Sequence, residues 1–382
     1  MTKYPQLLAP GRIGSLELRN RIIMAPMGSN FAEANGQCGE RIQAYYEARA
    51  RGGAGLLIMG VCSVAFPAGT AEPFQVGVSS DDFIPGLSRL AERVHQHGAK
   101  IAMQLQHAGK TAVRDMAEGR QLWVPSVPPV LQSDMMAALT PEELANFVSS
   151  MKRRAEGSPI RVMDSADIAQ MIEWFASAAD RARRAGFDGV EIHAAHGYII
   201  AGFLSGYYNQ REDEYGGSLE NRARLLLQII AAIRAKVGHE FAVWLRLDAE
   251  ELHTPGGINL EDAIAVARMA EAAGVDAVSV SATARITSGV VFTEAPLVHK
   301  PGGYLEWTAA LKRSVQVPVI AVGRIEPEVG EAALKRGDCD FIAMARKFLA
   351  DPDLPNKLLN DQEASIRPCI YCYVCVSQIF IN

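Results

Sequence analysis

The 382-residue chain contains no run of 18 or more apolar residues, so its sequence offers no membrane-spanning helix. It also lacks an excess of either charge. Thirty-eight Lys and Arg stand against 43 Asp and Glu, a formal net charge of -5, which leaves no basic footprint for nucleic acid or an anionic membrane surface. The N-terminal stretch Met1-Thr2-Lys3-Tyr4-Pro5, followed by Gln6 and Leu7-Leu8-Ala9-Pro10, has no apolar core of the signal-peptide kind, and a cytoplasmic location is the expectation. Cysteine is sparse for most of the length. Cys38, Cys62 and Cys339 are scattered and read as reduced, structural residues, while Cys369, Cys372 and Cys375 crowd together, a spacing that suits metal or redox chemistry better than a disulfide framework. A glycine-rich phosphate turn is missing as well. Pro26-Met27-Gly28-Ser29-Asn30, after the first apolar run, does not match G-x-G-x-x-G, which argues against an open, doubly wound nucleotide-binding sheet.

What the chain does have is a repeated rhythm. Its 49% hydrophobic content is ample for one large core. Eight short apolar runs read as buried strands: Arg21 to Pro26, Ala54 to Gly60, Lys100 to Leu105, Asp188 to Ile192, Phe241 to Leu247, Asp276 to Ser281, Val317 to Gly323 and Cys339 to Ala345. Amphipathic helical patterns lie between them: Ile84 to Gln96, Ile168 to Ala185, Leu219 to Val237 and Leu260 to Ala273. Each stops at or near a glycine (Gly98, Gly186, Gly238 and Gly274), as a left-handed cap position favours. Strand and helix in alternation call for a parallel sheet wrapped by helices, and eight units predict a (β/α)8 TIM barrel. The segment from Gly119 to about Asp164 breaks the rhythm with five prolines and a short helical stretch, Glu142 to Arg154. It reads as a long loop insertion after the third strand, passing over the barrel mouth as a lid.

In such a barrel, function collects where strands end in their C-terminal loops. Polar residues stand there repeatedly: Gln104 and His107 at the third strand, Arg246 and Asp248 at the fifth, Gly323-Arg324 at the seventh, Ala345-Arg346 at the eighth. The loops after the last two strands commonly make a phosphate site, and small residues followed by arginine supply open N–H groups and a fork of donors. The richest stretch follows the fourth strand. His193-Ala194-Ala195-His196-Gly197-Tyr198 can hold an anionic oxygen and deliver a proton.

The stretch from His193 to Arg224, H-A-A-H-G-Y-I-I-A-G-F-L-S-G-Y-Y-N-Q-R-E-D-E-Y-G-G-S-L-E-N-R-A-R, resembles the signature of the Old Yellow Enzyme family of FMN-dependent oxidoreductases. Asn20 to Met27, Gln104 to Gly109 and Met344 to Pro352 resemble that family too, so the likeness covers essentially the whole chain. The resemblance implies noncovalent FMN at the barrel mouth. Pro26, Met27 and Gly28 would border its ring, Gln104 would bond its pyrimidine edge, Arg246 would lie by N1–C2=O, and Gly323, Arg324, Ala345 and Arg346 would hold its phosphate. It also implies that His193 and His196 bind a substrate's activating oxygen, that Tyr198 protonates the α-carbon of a reduced C=C, and that NAD(P)H is the ultimate donor. The substrate would be an enoyl thioester, enone or steroid.

Arg367 to Cys375 carries C-x-x-C-x-x-C and resembles the iron–sulfur branch of the family, which includes 2,4-dienoyl-CoA reductase and trimethylamine dehydrogenase. That implies a [4Fe–4S] cluster on Cys369, Cys372 and Cys375, but such clusters take four ligands and no cysteine follows Cys375 in this chain. A division results: 1–360 as FMN barrel, 361–382 as the start of a cysteine-rich segment. An FAD/NADH-binding domain, or a homo-oligomer, would be its partner. Two departures stand out. Met27-Gly28-Ser29 lacks the cysteine that attaches flavin in trimethylamine dehydrogenase. Arg285 stands nearest to the second catalytic histidine of dienoyl-CoA reductase and is a candidate for a carboxylate or CoA phosphate, with a plain surface arginine as the alternative. A non-autonomous electron-relay barrel or an amine-dehydrogenase-like relative is the competing functional reading.

Overall fold

The computed structural model describes residues 2–128, 159–284, 300–372 and 374–375. Eight parallel strands close on themselves: Ile22–Met24, Leu56–Ser63, Lys100–Gln106, Gly189–Ala194, Ala242–Leu252, Val278–Ala284, Val319–Ala321 and Phe341–Met344. The first pairs with both the second and the eighth, which seals the ring. Helices run between successive strands, among them Glu40–Arg51, Ile84–His95, Ser165–Arg184, Leu219–Val237, Leu260–Ala272, Leu305–Lys312 and Pro327–Arg336. The (β/α)8 expectation therefore holds. The fifth strand runs on to Leu252, beyond the Leu247 expected, because a register irregularity after Asp248 lets its pairing with the sixth strand continue.

Alternation along the strands builds two cores. Outward residues such as Ile22, Leu57, Met59 and Val190 pack under the helices. Inward residues such as Ile23, Leu56, Ile58, Ala102, Trp244, Ile320 and Phe341 fill the barrel itself. A short antiparallel hairpin, Gly11–Ile13 with Leu16–Leu18, adds Ile13, Leu16 and Leu18 to this inner cluster and plugs the floor. The helix starts follow side-chain chemistry. Asp164 and Asp167 form a reciprocal capping box for Ser165–Arg184, and Ser218 and Asn259 cap the next two helices of the outer ring. At the floor, buried Arg234 donates to the carbonyls of Gly274 (2.8 Å), Gly238 (3.0 Å) and Phe241 (2.7 Å) and to Asp276 Oδ2 (2.5 Å).

The insertion after the third strand is rooted in a short parallel pair, Leu122–Val124 with Ile160–Val162. The expected helix Glu142 to Arg154 lies outside the described residues, as does Arg285. The tail folds back onto the barrel. Asp351 Oδ2 accepts from Arg367 N at 2.9 Å and from Lys357 Nζ at 2.7 Å, and Tyr371 OH donates to Glu326 at 2.7 Å. Among the described residues no helix is long and apolar enough to cross a membrane.

Candidate active site

Following the inward parity up from the floor turns the barrel from apolar to polar. Gln104 comes two residues after Ala102, Glu191 lies beside it in register, and Trp244 lies on the other side of Glu191. Gln104 Nε2 donates to Glu191 Oε1 at 2.6 Å and Trp244 Nε1 donates to Glu191 Oε2 at 2.7 Å. Burial raises the Glu191 carboxyl above its ordinary range, while the Arg246 charge and these two donors hold it down. One layer higher stand His193 and Arg246, again in register, with Ser279 of the sixth strand opposite Arg246 and Ser281 two residues further on, opposite Asp248. Arg246 is buried. Its Nη2 reaches Ser281 Oγ at 3.3 Å, whereas Nε and Nη1 find no partner among the described residues.

The loop after the fourth strand brings the aromatic groups together. The His193 ring sits 4.8 Å from His196 at 79° and 4.8 Å from Tyr198 at 84°. His196 adopts φ 63°, and its N–H donates to Asp248 Oδ2 at 2.6 Å, which holds that backbone in place. Its Nε2 shares a hydrogen bond with Ser281 Oγ at 2.7 Å. Burial, then the charge of Arg246, keeps His193 well below the usual histidine range. Burial, then His193 and Arg246, does the same for His196. Both rings are neutral near pH 7 and can donate a hydrogen bond without carrying charge.

Pro26, Met27, Gly28, Gln104, His193, His196, Tyr198, Arg246, Gly323, Arg324, Ala345 and Arg346 all line one cavity of about 270 Å³ at the mouth. Of the sixteen residues given a role from the sequence, thirteen are thus gathered at one place, since Cys375 lines the same cavity; Cys369 and Cys372 do not, and Arg285 is outside the described residues. Cys369, Cys372 and Cys375 do not fit a cluster as they stand: no group of three His, Cys, Asp or Glu among the described residues is placed to hold a metal. His107, at the end of the third strand, turns away from the cavity and stacks on Trp174, with centroids 6.1 Å apart at 6°.

Sequence reasoning missed Glu72 and Tyr371, which also line the cavity. Glu72 accepts from Asn30 N at 3.1 Å, and burial raises its carboxyl to about 7. A Cβ on Gly28 would fall 1.3 Å from Glu72 Oε1, so glycine at 28 leaves room for this acid. The Tyr371 ring lies 4.3 Å from the Arg324 guanidinium and 4.8 Å from that of Arg346, bridging the two. No local pattern in the sequence announces either contact.

Together these features gather basic, aromatic and acidic side chains in one cavity at the mouth of a (β/α)8 barrel. The chain matches the NADH:flavin oxidoreductase / NADH oxidase family over residues 6–364, and it belongs to that family. It is 37% identical over 390 residues to an NADH oxidase of Thermoanaerobacter brockii, covering 100% of this chain and 55% of the relative. It is 35% identical over 347 residues to an NADPH dehydrogenase of Halalkalibacterium halodurans, covering 90% of this chain and 91% of the relative. Among solved structures, 2-naphthoyl-CoA reductase in complex with 2-naphthoyl-CoA superposes with a TM-score of 0.84 at 29% identity, over 98% of this chain and 56% of that one. The chain thus spans about half the length of several curated relatives that it matches. FMN is the flavin that goes with this family, and the cavity fits it. The orphaned Nε and Nη1 of Arg246 can meet a flavin's anionic edge, and the Arg324–Arg346 pair can meet its phosphate.

Proposed function

We propose that the chain is an FMN-dependent ene reductase that takes electrons from NAD(P)H and reduces an activated C=C, such as that of an enoyl thioester, enone or steroid. The observation that carries this reading is the His193–His196–Tyr198 cluster beside Arg246 on one cavity wall. Bound FMN would supply hydride chemistry. Neutral His193 and His196 hold the substrate's activating oxygen, and Tyr198 gives its phenolic proton to the α-carbon. Pro26, Met27 and Gly28 border the flavin ring, Gln104 faces its pyrimidine edge, and Gly323, Arg324, Ala345 and Arg346 take the phosphate. The similarity to 2-naphthoyl-CoA reductase supports an acyl-thioester substrate. The direct test is anaerobic reduction of the FMN-loaded chain by NADH and NADPH, followed by reoxidation with a panel of enoyl-CoAs, enones and steroids. Failure of every acceptor while NAD(P)H still bleaches the flavin would overturn the reading.

A second reading has support from Cys375 on the cavity wall and from relatives twice this length. In it, residues 1–360 form the flavin barrel, 361–382 begin an iron–sulfur segment, and turnover needs an FAD/NADH-binding domain or a second copy of the chain. With three cysteines not drawn together, iron after anaerobic purification is expected to be well below four per chain. A reducing, cytoplasmic setting suits both readings, since Cys38, Cys62 and Cys339 are buried thiols without a disulfide.

The phosphate assignment has its own test. Arg324→Ala or Arg346→Ala is expected to weaken FMN by roughly 1.5–3 kcal/mol, the general worth of a hydrogen bond to a charged group. Fluorescence titration of the apoprotein measures it, and an unchanged affinity in both variants would remove the site.

A further inference from the structure

Lys110 follows the third strand in a single 3₁₀ turn, Gly109–Thr111. Its Nζ donates to the Gly197 carbonyl at 2.8 Å, which is the peptide group leading into Tyr198. The same Nζ lies 3.6 Å from the centre of the Tyr208 ring. Lys110, Gly197, Tyr198 and Tyr208 line a second, much smaller cavity of about 10 Å³. A void of roughly this size sits at the lower limit for one water molecule. An ammonium group thus stands behind the loop that carries the tyrosine, on the side away from the flavin cavity.

We propose that Lys110 is a positioning residue for Tyr198: its charge stabilises the phenolate that remains once the tyrosine has delivered its proton. The inference rests on the reading of Tyr198 as the acid. Bound reduced flavin would supply hydride to the substrate's β-carbon; the Tyr198 O–H bond breaks as the α-carbon gains its C–H bond, and the phenolate is left with the electron pair. Solvent then returns a proton to Tyr198. Lys110 and Tyr198 line the same small cavity, so a phenolate on Tyr198 faces a positive charge in a poorly solvated setting, where a given separation is worth several times its value in water. The Gly197 contact also fixes the loop, whose His196 and Gly197 both hold left-handed backbone at φ 63° and 68°.

Among the described residues, the titratable groups that face Lys110 are Glu251 on the fifth strand, Tyr208 and Tyr198. Glu251 is held by Ser205 Oγ at 2.5 Å and Ile258 N at 3.0 Å, and its charge favours the ammonium. His193 and His196 pack edge-on against Tyr198, line the larger cavity and not the smaller one, and are neutral. Burial lowers Lys110 to about 8, with Glu251 opposing the shift. The ammonium is therefore present below about pH 8 and is lost as pH rises through that value.

The experiment compares Lys110→Met, Lys110→Arg and wild type, each as FMN-loaded protein and each paired with its Tyr198→Phe counterpart. The pKa of Tyr198 is read by carbon-13 tyrosine NMR, the difference within each pair isolating its signal. Reoxidation by cyclohexenone is read by stopped flow across pH 6–10. Lys110→Met should raise the Tyr198 pKa by at least one unit and slow reoxidation about tenfold. The decline of the wild-type rate above pH 8 should vanish in that variant and move to higher pH in Lys110→Arg, which should recover most of the rate. An unchanged Tyr198 pKa in Lys110→Met overturns the proposal. So does a Lys110→Arg variant as slow as Lys110→Met, since packing rather than charge would then be at stake. If Tyr198→Phe alone reoxidises at the wild-type rate, it is the reading of Tyr198 that fails, which the NMR pKa distinguishes from a failure of Lys110.

Discussion

Tyr198→Phe is expected to slow reoxidation of the NAD(P)H-reduced enzyme by an enone roughly 10²–10⁴-fold, the usual worth of a positioned general acid. Under the proposed function flavin reduction by NAD(P)H should stay nearly intact, because Tyr198 would give no proton in that half of the cycle. The substitution removes one oxygen and keeps the ring, whose edge-on packing against His193 at 4.8 Å is a contact between ring systems rather than through the hydroxyl. A rate loss therefore reports chemistry and not a collapsed loop. Nitro compounds, whose reduction leans less on a protein acid, should suffer less than enones. Stopped-flow reoxidation with a slow enone decides the matter, and a wild-type rate there would remove Tyr198 from its role.

The largest expected effect on stability lies at the opposite end of the barrel. Arg234→Ala should cost roughly 2–3 kcal/mol, the upper part of the range for leaving buried acceptors without a donor, since Arg234 is buried and Asp276 only partly so. Arg234 closes three carbonyls and the Asp276 carboxylate around the turns that lead into the fifth and sixth strands. Without it, those acceptors lose their donor in a place with little water. Urea denaturation should show the midpoint falling, with FMN affinity of the folded fraction unchanged because Arg234 does not line the cavity. A loss under 1 kcal/mol would mean that water reaches those carbonyls and replaces the guanidinium.

Much of this arrangement can be read from the chain alone. All eight barrel strands announce themselves because parallel strands buried on both faces are continuous apolar runs, and their helices end at glycines such as Gly186 and Gly274 with positive φ. The strand ends and the loops after them then give about half of the residues that line the cavity. What stays hidden depends on contacts between distant parts of the sequence. Glu191 looks like an interruption in an apolar strand until register sets it between Gln104 and Trp244. Tyr371 lies in a motif that draws attention to its cysteines, and only the return of the tail shows its ring against Arg324 and Arg346. Lys110 gives no sign of its reach to Gly197, 87 positions away. His107 shows the converse failure: residue type and position suit a site, yet its ring packs on Trp174.

The hairpin that plugs the floor has a kinetic consequence. Ile13, Leu16 and Leu18 close one end of the barrel with apolar side chains that are no more than 6% exposed. With its interior filled by side chains and its floor plugged, the barrel opens, among the described residues, at its mouth. Under the proposed function, nicotinamide donor and unsaturated acceptor must then come and go through the same opening and occupy the same floor space in turn. Turnover would be of the ping-pong kind, giving parallel double-reciprocal plots, with each reactant at excess inhibiting the other's visit.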